Sequence, residues 1–374
     1  MNILSIDLED YFMVSAFEGT VTREDWNSLP SRIERNTHRI LDLLDGHRST
    51  GKALRKKSHP SSEPGETQQA HKATFFCLGW IAERFPHLIR EIHSRGHEIA
   101  SHGYDHKMII QMSGPEEFRE DLRRSRATLE DIVGDSVMGY RAPSYSITYK
   151  TLWALRVLLE EGFLYDSSIF PIQHDRYGIP NAPRFPFLVT LTKNRDLPLK
   201  HAQNGPAGFQ TALQEHGCSL AEAGAPARGL AYVSHSSSST GGGLDTSDGA
   251  PQSFGRIGPG TLLEVPLSTV RFMGRNLPVA GGGYFRLLPL GFTLWALRKT
   301  IRRFGQPFVF YIHPWELDPE QPRVKGLPLL SRIRHYLNLE KTEVRMSTLL
   351  LQGGGFTSFR SLYLPARLPA ARRI

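Results

Sequence analysis

The sequence contains little cysteine and lacks a long apolar run. Its two cysteines, Cys77 and Cys218, lie far apart in unlike surroundings, so a disulfide is not indicated and a reducing compartment is expected. No stretch approaches the roughly 20 apolar residues of a membrane span. The first residues, Met1–Asp7, have neither the basic region nor the apolar run of a secretory signal. We therefore expect a cytoplasmic protein without a transmembrane segment.

Two further absences concern the ligand. Glycine-rich stretches occur, but none has the G-x-x-x-x-G-K-[ST] pattern that binds phosphate. The 374 residues include 45 Lys and Arg against 37 Asp and Glu, which gives a net charge of +8. These charges are spread along the chain, so they indicate a solvated surface and no nucleic-acid partner. A hydrophobic content of 40% is typical of a globular protein with a large core.

Apolar runs alternate with helical patterns along most of the chain. Residues 2–6, 73–78 and 307–312 predict short buried strands, and amphipathic segments separate the strands. This alternation of strand and helix predicts parallel βα units that close into a barrel. The pattern is lost over residues 46–72 and 194–256, which we predict to be disordered insertions.

Ionisable side chains follow two of the predicted strands. Asp7, Glu9 and Asp10 come directly after the first strand, and the pair His102 and His106 follows a later one. On a helix, histidines four residues apart lie on one face, where they can bind a transition metal. The carboxyl ends of barrel strands share one face of the barrel, and enzymes of this kind place their active sites there. The pattern therefore predicts a metal site.

Other candidate residues occupy comparable positions. Arg141 follows an apolar lead-in, Asp166 ends a short strand, and His313 ends the most clearly buried strand of the chain. Each has a structural alternative: Arg141 fits an ion pair, Asp166 a helix cap, and His313 a hydrogen-bonded core position. Trp315 fits the core and a substrate contact equally well. Because ionisable side chains recur at the ends of several predicted strands, a shared active site is favoured over separate structural roles.

The motifs, in this order, resemble those of polysaccharide deacetylases of the NodB-homology type, carbohydrate esterase family 4. The similarity is greatest to the bacterial branch associated with exosortase/PEP-CTERM exopolysaccharide loci, whose C-terminal extension resembles residues 274–285. The five family motifs correspond to Asp7–Phe12, Ser101–His106, Arg141–Ser146, Tyr165–Ser168 and His313–Glu316.

The resemblance implies an α/β fold, a distorted (β/α) barrel of the NodB type. It places the barrel at residues 1–320, the extension within 258–352 and a tail at 353–374.

The resemblance also implies a divalent metal held by two histidines and one carboxylate. Zinc suits these ligands best, although cobalt and nickel also fit. The histidines would be His102 and His106. The family has adjacent aspartates in its first motif, whereas Leu8 follows Asp7 here. The carboxylate ligand is therefore Glu9 or Asp10, and the sequence does not choose between them.

The catalytic roles follow from the same resemblance. Asp7 would act as the base, oriented by Arg141, and His313 would act as the acid, kept protonated by Asp166. A backbone N–H near Tyr145 would bind the oxyanion. The rings of Tyr145 and Trp315 would offer apolar faces to a sugar.

These roles imply N-deacetylation of N-acetylhexosamine units in a bacterial exopolysaccharide or a lipid-linked oligosaccharide precursor. Two alternatives stay open. Relatives of this fold cleave C–N bonds in small cyclic amides and imides, so an amidohydrolase of that type is the first. The second is a polysaccharide-binding protein without catalysis, although such a protein would not need Asp7 and His313 around a metal.

Overall fold

The computed structural model of the chain describes residues 1–46, 70–192, 206–221, 257 and 260–364. The strands are β1 Asn2–Leu8, β2 Thr74–Cys77, β3 Glu98–Ser101, β4 Gly139–Tyr140, β5 Tyr165–Asp166, β6 Phe187–Leu191, β7 Cys218–Leu220, β8 Thr261–Glu264, β9 Thr269–Phe272, β10 Arg275–Pro278, β11 Val309–Ile312 and β12 Phe356–Thr357. The α-helices are α1 Ile33–Leu44, α2 Gly79–Arg84, α3 Pro86–Ser94, α4 Pro115–Val133, α5 Trp153–Glu160, α6 Pro206–Glu215, α7 Gly282–Leu287, α8 Leu290–Phe304, α9 Leu329–Tyr336, α10 Leu339–Gln352 and α11 Phe359–Tyr363.

A parallel ladder of strands forms the centre of the molecule. Its order is β11-β1-β2-β3-β4-β5-β8, and β12 pairs in parallel with the start of β1. Strands β6 and β7 extend the sheet beyond β8 in antiparallel orientation. Helices connect most of the parallel strands, because a parallel neighbour can be reached only by a crossover connection. The predicted α/β fold with a parallel sheet is confirmed.

The two ends of the ladder approach each other through irregular backbone. Ser268, just beyond β8, donates its N–H to the carbonyl of Val309 in β11 (3.4 Å) and accepts the Val309 N–H with its hydroxyl (2.9 Å). The N–H of Tyr311 donates to the carbonyl of Ala280 (2.9 Å). The sheet therefore curls into a distorted barrel, joined on this side by isolated hydrogen bonds.

The alternation of side chains along β1 separates the barrel interior from the helix layer. Ile3 packs in the interior, whereas Leu4 and Ile6 pack against the surrounding helices. Because residues two apart share a face, Ser5 and Asp7 lie on the interior face with Ile3. Asp7 thus stands inside the barrel at the end where its parallel strands finish.

The predicted insertions have two outcomes. Residues 47–69, 193–205 and 222–256 lie outside the described residues. Residues 206–221 form α6 and β7, so the prediction of disorder over all of 194–256 is wrong for this part. The reason is burial, since the side chains of Phe209, Leu213 and Cys218 pack in one hydrophobic cluster.

Two sequence-based expectations concern cysteine chemistry and membranes. Cys77 and Cys218 are both buried and free, so they form no disulfide. Within the described ranges, the helices are too short or too polar to span a lipid bilayer.

Candidate active site

A buried carboxylate and two imidazoles meet beyond the ends of β1 and β3. Glu9 Oε1 lies 3.0 Å from His102 Nε2 and 3.1 Å from His106 Nε2. All three residues are buried. One ligand atom from each lies within 4.8 Å of the other two, a spacing that can hold a metal ion. The histidine pair predicted from the sequence is thus assembled with a carboxylate.

The histidines lie on a loop that follows β3, at the end of a strand as predicted, so helical spacing is not what brings them together. Gly103 and His106 adopt left-handed backbone conformations, with φ of 77° and 61°. Glycine tolerates this region without penalty, and histidine is enriched there among other residues. Asp121 of α4 holds the loop by accepting the N–H of Tyr104 (3.1 Å). The result is a separation of 5.5 Å between the ring centroids of His102 and His106.

The hydrogen bonds of His102 show whether Glu9, His102 and His106 are suited to bind a cation. His102 Nδ1 lies 2.7 Å from the carbonyl oxygen of Arg141, which can only accept, so Nδ1 carries a proton. In the neutral ring, Nε2 then presents its lone pair to the Glu9 carboxylate. Two acceptors 3.0 Å apart repel unless a proton or a cation lies between them. These ligand atoms therefore fit a metal, and the hydrogen bond from Nδ1 to the Arg141 carbonyl orients His102 as the partners of metal-binding histidines do.

Asp10 does not take part in this group. Its Oδ2 accepts hydrogen bonds from the Ser31 hydroxyl (2.6 Å) and the Arg32 N–H (2.8 Å), and its Oδ1 accepts the N–H of Tyr11 (2.9 Å). The side chain thus faces the start of α1 and satisfies backbone donors there. Of the two carboxylates that the sequence left open, the structure brings Glu9 to the histidines.

Asp7 lies beside this group and has three polar neighbours. Its Oδ1 is 2.6 Å from Arg141 Nη1, and its Oδ2 accepts the Tyr145 hydroxyl at 3.3 Å. His313 Nε2 lies 3.9 Å from Asp7 Oδ2 and 3.8 Å from Glu9 Oε1. The structure therefore brings together the predicted base, its arginine and the predicted acid.

Arg141 is completely buried and fixed by hydrogen bonds on several sides. Besides Asp7, it donates to the Ser5 hydroxyl (2.8 Å), the Ser167 carbonyl (3.0 Å) and the Ser167 hydroxyl (2.9 Å). Its guanidinium lies 4.1 Å from the ring centroid of Phe76. Burial lowers the pKa of Arg141, but the Asp7 carboxylate, Tyr145 and Tyr311 together outweigh burial, and the net shift of the pKa is upward. Arg141 is thus a fixed cation that orients Asp7.

His313 is held by Glu316. Its Nδ1 lies 2.8 Å from Glu316 Oε1, which also accepts the backbone N–H of His313 (3.1 Å). The other oxygen of Glu316 accepts Arg286 Nε at 2.7 Å. Burial lowers the pKa of His313, but the carboxylates of Glu9, Glu316 and Asp7 outweigh burial and raise the pKa to about 9. The surrounding carboxylates thus favour the protonated form of His313, whose Nε2 lies 3.9 Å from Asp7 Oδ2.

The expected pairing of Asp166 with His313 is corrected by this geometry. Asp166 lies on the outer face of β5, opposite Glu264 in the register of β8. Its Oδ1 accepts the hydroxyl of Ser168, which in turn accepts the N–H of Ala142 (2.8 Å). Burial raises the pKa of Asp166 to about 6, and burial together with Asp166 raises that of Glu264 well above its usual range. Asp166 thus supports the segment after Arg141 from outside the barrel.

Trp315 does not offer a ring face to a sugar. It is 4% exposed and stacks with the rings of His313 (centroids 5.2 Å apart) and His335 (4.2 Å). The core alternative for Trp315 is therefore the one that the structure shows. The helix α9, which carries His335, covers it.

Tyr145 also contributes differently from what we expected. Its ring is buried among Phe170, Tyr177 and Tyr311, and its N–H donates to the carbonyl of Ala142 (3.0 Å). Neither the ring face nor this N–H is open to a substrate. The hydroxyl, at 3.3 Å from Asp7, is the part of Tyr145 that reaches the site.

Sequence reasoning missed the supporting residues Glu316, Arg286, Ser5 and Ser167. Glu316 carried a usable signal, since it follows His313 by three residues with proline between them, the spacing of a capping box at a helix start. Arg286 carried none, because it is 30 residues from Glu316 along the chain.

Two family models match this chain. Residues 67–158 match the model described as polysaccharide deacetylase, and residues 236–364 match a model described as a domain of unknown function, DUF3473. The first segment contains His102, His106 and Arg141, and the second contains His313. Residues 67–158 are therefore similar to polysaccharide deacetylases, the family that the sequence motifs resemble.

Several relatives are similar over part of their length. The chain is 36% identical over 100 residues to a peptidoglycan deacetylase-like protein of Gibberella zeae, covering 27% of this chain and 28% of the relative. It is 34% identical to the peptidoglycan deacetylase of Helicobacter pylori (26% and 32% covered) and 34% identical to the chitooligosaccharide deacetylase of Azorhizobium caulinodans (23% and 42% covered).

A crystal structure of a Mycobacterium smegmatis protein assigned to the polysaccharide deacetylases aligns with 100% of this chain and 96% of that chain. Its TM-score is 0.45 and its identity 16%, a level that carries no functional information. The curated relatives match over less than half of their own length, so their substrates bear on this chain only as proposals.

Proposed function

We propose that the protein is a metal-dependent N-deacetylase of N-acetylhexosamine units in a bacterial polysaccharide. The observation that carries the proposal is the buried Glu9 oxygen within 3.1 Å of the Nε2 atoms of His102 and His106, flanked by Asp7 and His313. Hydrolysis of an amide needs an activated water, a base and an acid, and this group contains the residues for all three.

Glu9, His102 and His106 would hold the metal through the carboxylate and the two Nε2 atoms. A set of two histidines and one carboxylate is typical of catalytic zinc, and cobalt or nickel also suits it. When bound, a divalent cation would acidify a water molecule and polarise the acetamide carbonyl.

The chain's own residues then divide the proton transfers. Asp7 accepts a proton as water adds to the carbonyl carbon, and Arg141 and Tyr145 hold the carboxylate in place for this. His313 donates its Nε2 proton to the nitrogen as the C–N bond breaks, so the sugar leaves as an amine and the acetyl group as acetate. Glu316 keeps His313 protonated and aimed.

The choice of substrate rests on the relatives. Their names specify peptidoglycan and chitooligosaccharide, both of which contain N-acetylated hexosamines. The narrower predictions from sequence are an exopolysaccharide or a lipid-linked precursor, the exosortase/PEP-CTERM branch and a cytoplasmic location. They remain predictions.

The test is acetate release from N-acetylglucosamine oligomers by the purified full chain. We expect release that a chelator abolishes and that zinc restores. An Asp7→Asn variant, which leaves the three metal-binding side chains intact, should release at least about a hundredfold less. Release that is unaffected by Asp7→Asn would contradict the mechanism. Activity on cyclic amides but on no acetylated sugar would favour the amidohydrolase alternative.

A further inference from the structure

A basic and apolar surface lies away from the catalytic group, on the hairpin of β9 and β10 and on helix α8. A pocket of about 290 Å³ is lined by both elements together, including Met273 and Gly274 at the hairpin tip and Lys299 and Arg303 on the helix. We call this surface the hairpin patch, comprising Phe272, Met273, Arg275, Trp295, Lys299 and Arg303.

The charge of this region has one sign. Between Val265 and Trp315 the sequence contains no Asp or Glu, whereas it carries Arg271, Arg275, Arg286, Arg298, Lys299, Arg302 and Arg303. Within the part of the chain that the structure describes, Lys299, Arg302 and Arg303 form no salt bridge with a carboxylate. Lys299 instead lies 4.7 Å from the ring centroid of Trp295. The patch therefore complements an anionic surface.

The tip of the hairpin is apolar and stands clear of the protein. Met273 is 87% exposed and Phe272 is 60% exposed. Trp295 on α8 is also exposed, beside the charge of Lys299. Exposed aromatic and aliphatic side chains among cations are the combination found where proteins rest on the interface of a lipid bilayer.

Met273 is also an unfavourable choice for folding. Arg275 pairs with Phe272, so Met273 and Gly274 are the two central residues of a tight hairpin. Both have positive φ, 46° and 77°. A two-residue turn of this type favours asparagine followed by glycine, because methionine in the left-handed region is strained. A strained and fully solvated methionine at a hairpin tip indicates a function outside the folded core.

We propose that the hairpin patch binds the surface of a membrane that contains anionic lipids, with Phe272 and Met273 entering the interface and Arg275, Lys299 and Arg303 facing the phosphates. A long flexible thioether adapts well to such an interface. This proposal concerns location and does not depend on the deacetylase reaction.

The test is co-sedimentation of the full chain with vesicles of phosphatidylcholine alone or mixed with phosphatidylglycerol. We expect binding to the mixed vesicles only, weakening as salt is added. Met273→Asn should weaken binding about tenfold, because it removes an apolar side chain that would enter the membrane interface. Lys299→Gln should weaken it about fivefold, the share of one cation near an anionic surface.

The variants include their own folding control. Asparagine is favoured at position 273 of this turn, so Met273→Asn should melt at the wild-type temperature or above it. Leu351→Asn removes an apolar side chain on α10 that is 60% exposed, and this variant should bind as the wild type does.

Three results would overturn the proposal. One is no binding to the mixed vesicles at low salt, and the second is equal loss in Leu351→Asn. The third is loss with Lys299→Gln but wild-type binding by Met273→Asn, since the patch would then be only a general site for polyanions.

Discussion

Replacing Glu316 by glutamine should change the pH dependence of the enzyme in a defined direction. Glu316 is fully buried and is the partner of His313 Nδ1 at 2.8 Å. Burial lowers the pKa of His313, and Glu9, Glu316 and Asp7 together raise it to about 9. A cation bound at Glu9 would offset the effect of that residue, so Glu316 would become the main anionic partner.

The sign follows from the role of His313 as an acid. Activity is present while His313 is protonated and is lost as pH rises through its pKa. An opposite charge within a few ångström is worth about 1–3 pKa units, so Glu316→Gln should move the alkaline limb of kcat/KM to lower pH by about that amount. The assay is acetate release from N-acetylglucosamine oligomers across the pH range.

Asp166→Asn is the matched control. Asp166 is the partner that the sequence assigned to His313, yet it lies on the outer face of β5 with Glu264. Its removal should leave the alkaline limb in place. If the alkaline limb of kcat/KM does not move in Glu316→Gln, or moves equally in Asp166→Asn, Glu316 is not the residue that keeps His313 protonated.

The stability of the Glu316→Gln variant needs a second control. The substitution leaves Arg286 buried without its carboxylate, which costs about 3–5 kcal/mol of folding free energy. The double variant Glu316→Gln with Arg286→Met removes that charge as well. It should show the same shift of the limb with a smaller loss of stability in chemical denaturation.

Three further predictions concern the residues of the candidate site and the loop beside it. Glu9→Gln should abolish stoichiometric zinc binding by the metal-depleted protein. Asp10→Asn should still bind zinc and should lose only about 1 kcal/mol of folding stability, at the start of α1. Loss of zinc binding in Asp10→Asn alone would reverse the ligand assignment. Arg141→Met should lower the free energy of unfolding by about 3–5 kcal/mol, because the buried Asp7 carboxylate loses its cationic partner. Urea denaturation measures this loss, and a loss below about 1 kcal/mol would contradict a stabilising ion pair. Burial raises the pKa of Asp121 to about 7 from 3.8, so the folded protein binds this proton more tightly, and the contribution of Asp121 to stability should be lost as pH rises between these values. The free energy of unfolding of the wild type relative to Asp121→Asn should therefore be lower at pH 8 than at pH 4, and an equal difference at both pH values would contradict the shift.

The strand ends of the site were readable from the sequence because they depend on local pattern. A short apolar run ending in Asp7 or in His313 marks a buried strand and the point where it leaves the core. Parallel pairing then brings those ends to one face. The α/β fold and the meeting of Asp7, His102, His106, Arg141 and His313 follow from that rule.

The carboxylate partner of His313 could not be predicted from the sequence. In a strand of only two residues, the alternation of apolar and polar side chains is too short to show which residue faces the interior. β5 contains only Tyr165 and Asp166, so the sequence does not show which side chain points inward. In the structure Tyr165 packs in the barrel interior, which turns Asp166 outward. The inward carboxylate at His313 comes from Glu316 instead.

Long-range packing decided the remaining differences. The burial of Trp315 depends on His335 from α9, and the loop that joins His102 to His106 depends on left-handed backbone at Gly103 and His106. Neither leaves a periodic trace in the sequence. The spacing of the histidines therefore predicted that the two rings are close but did not reveal the loop conformation that brings them together.

The most direct test of the central claim is a titration of zinc into the metal-depleted full chain, with acetate release and bound zinc measured in the same samples. If Glu9, His102 and His106 form a catalytic metal centre, activity should rise in proportion to bound zinc and level off at one ion per chain. Full activity in the metal-depleted protein, or tight binding of one zinc without any acetate release from N-acetylated glycans, would contradict the claim.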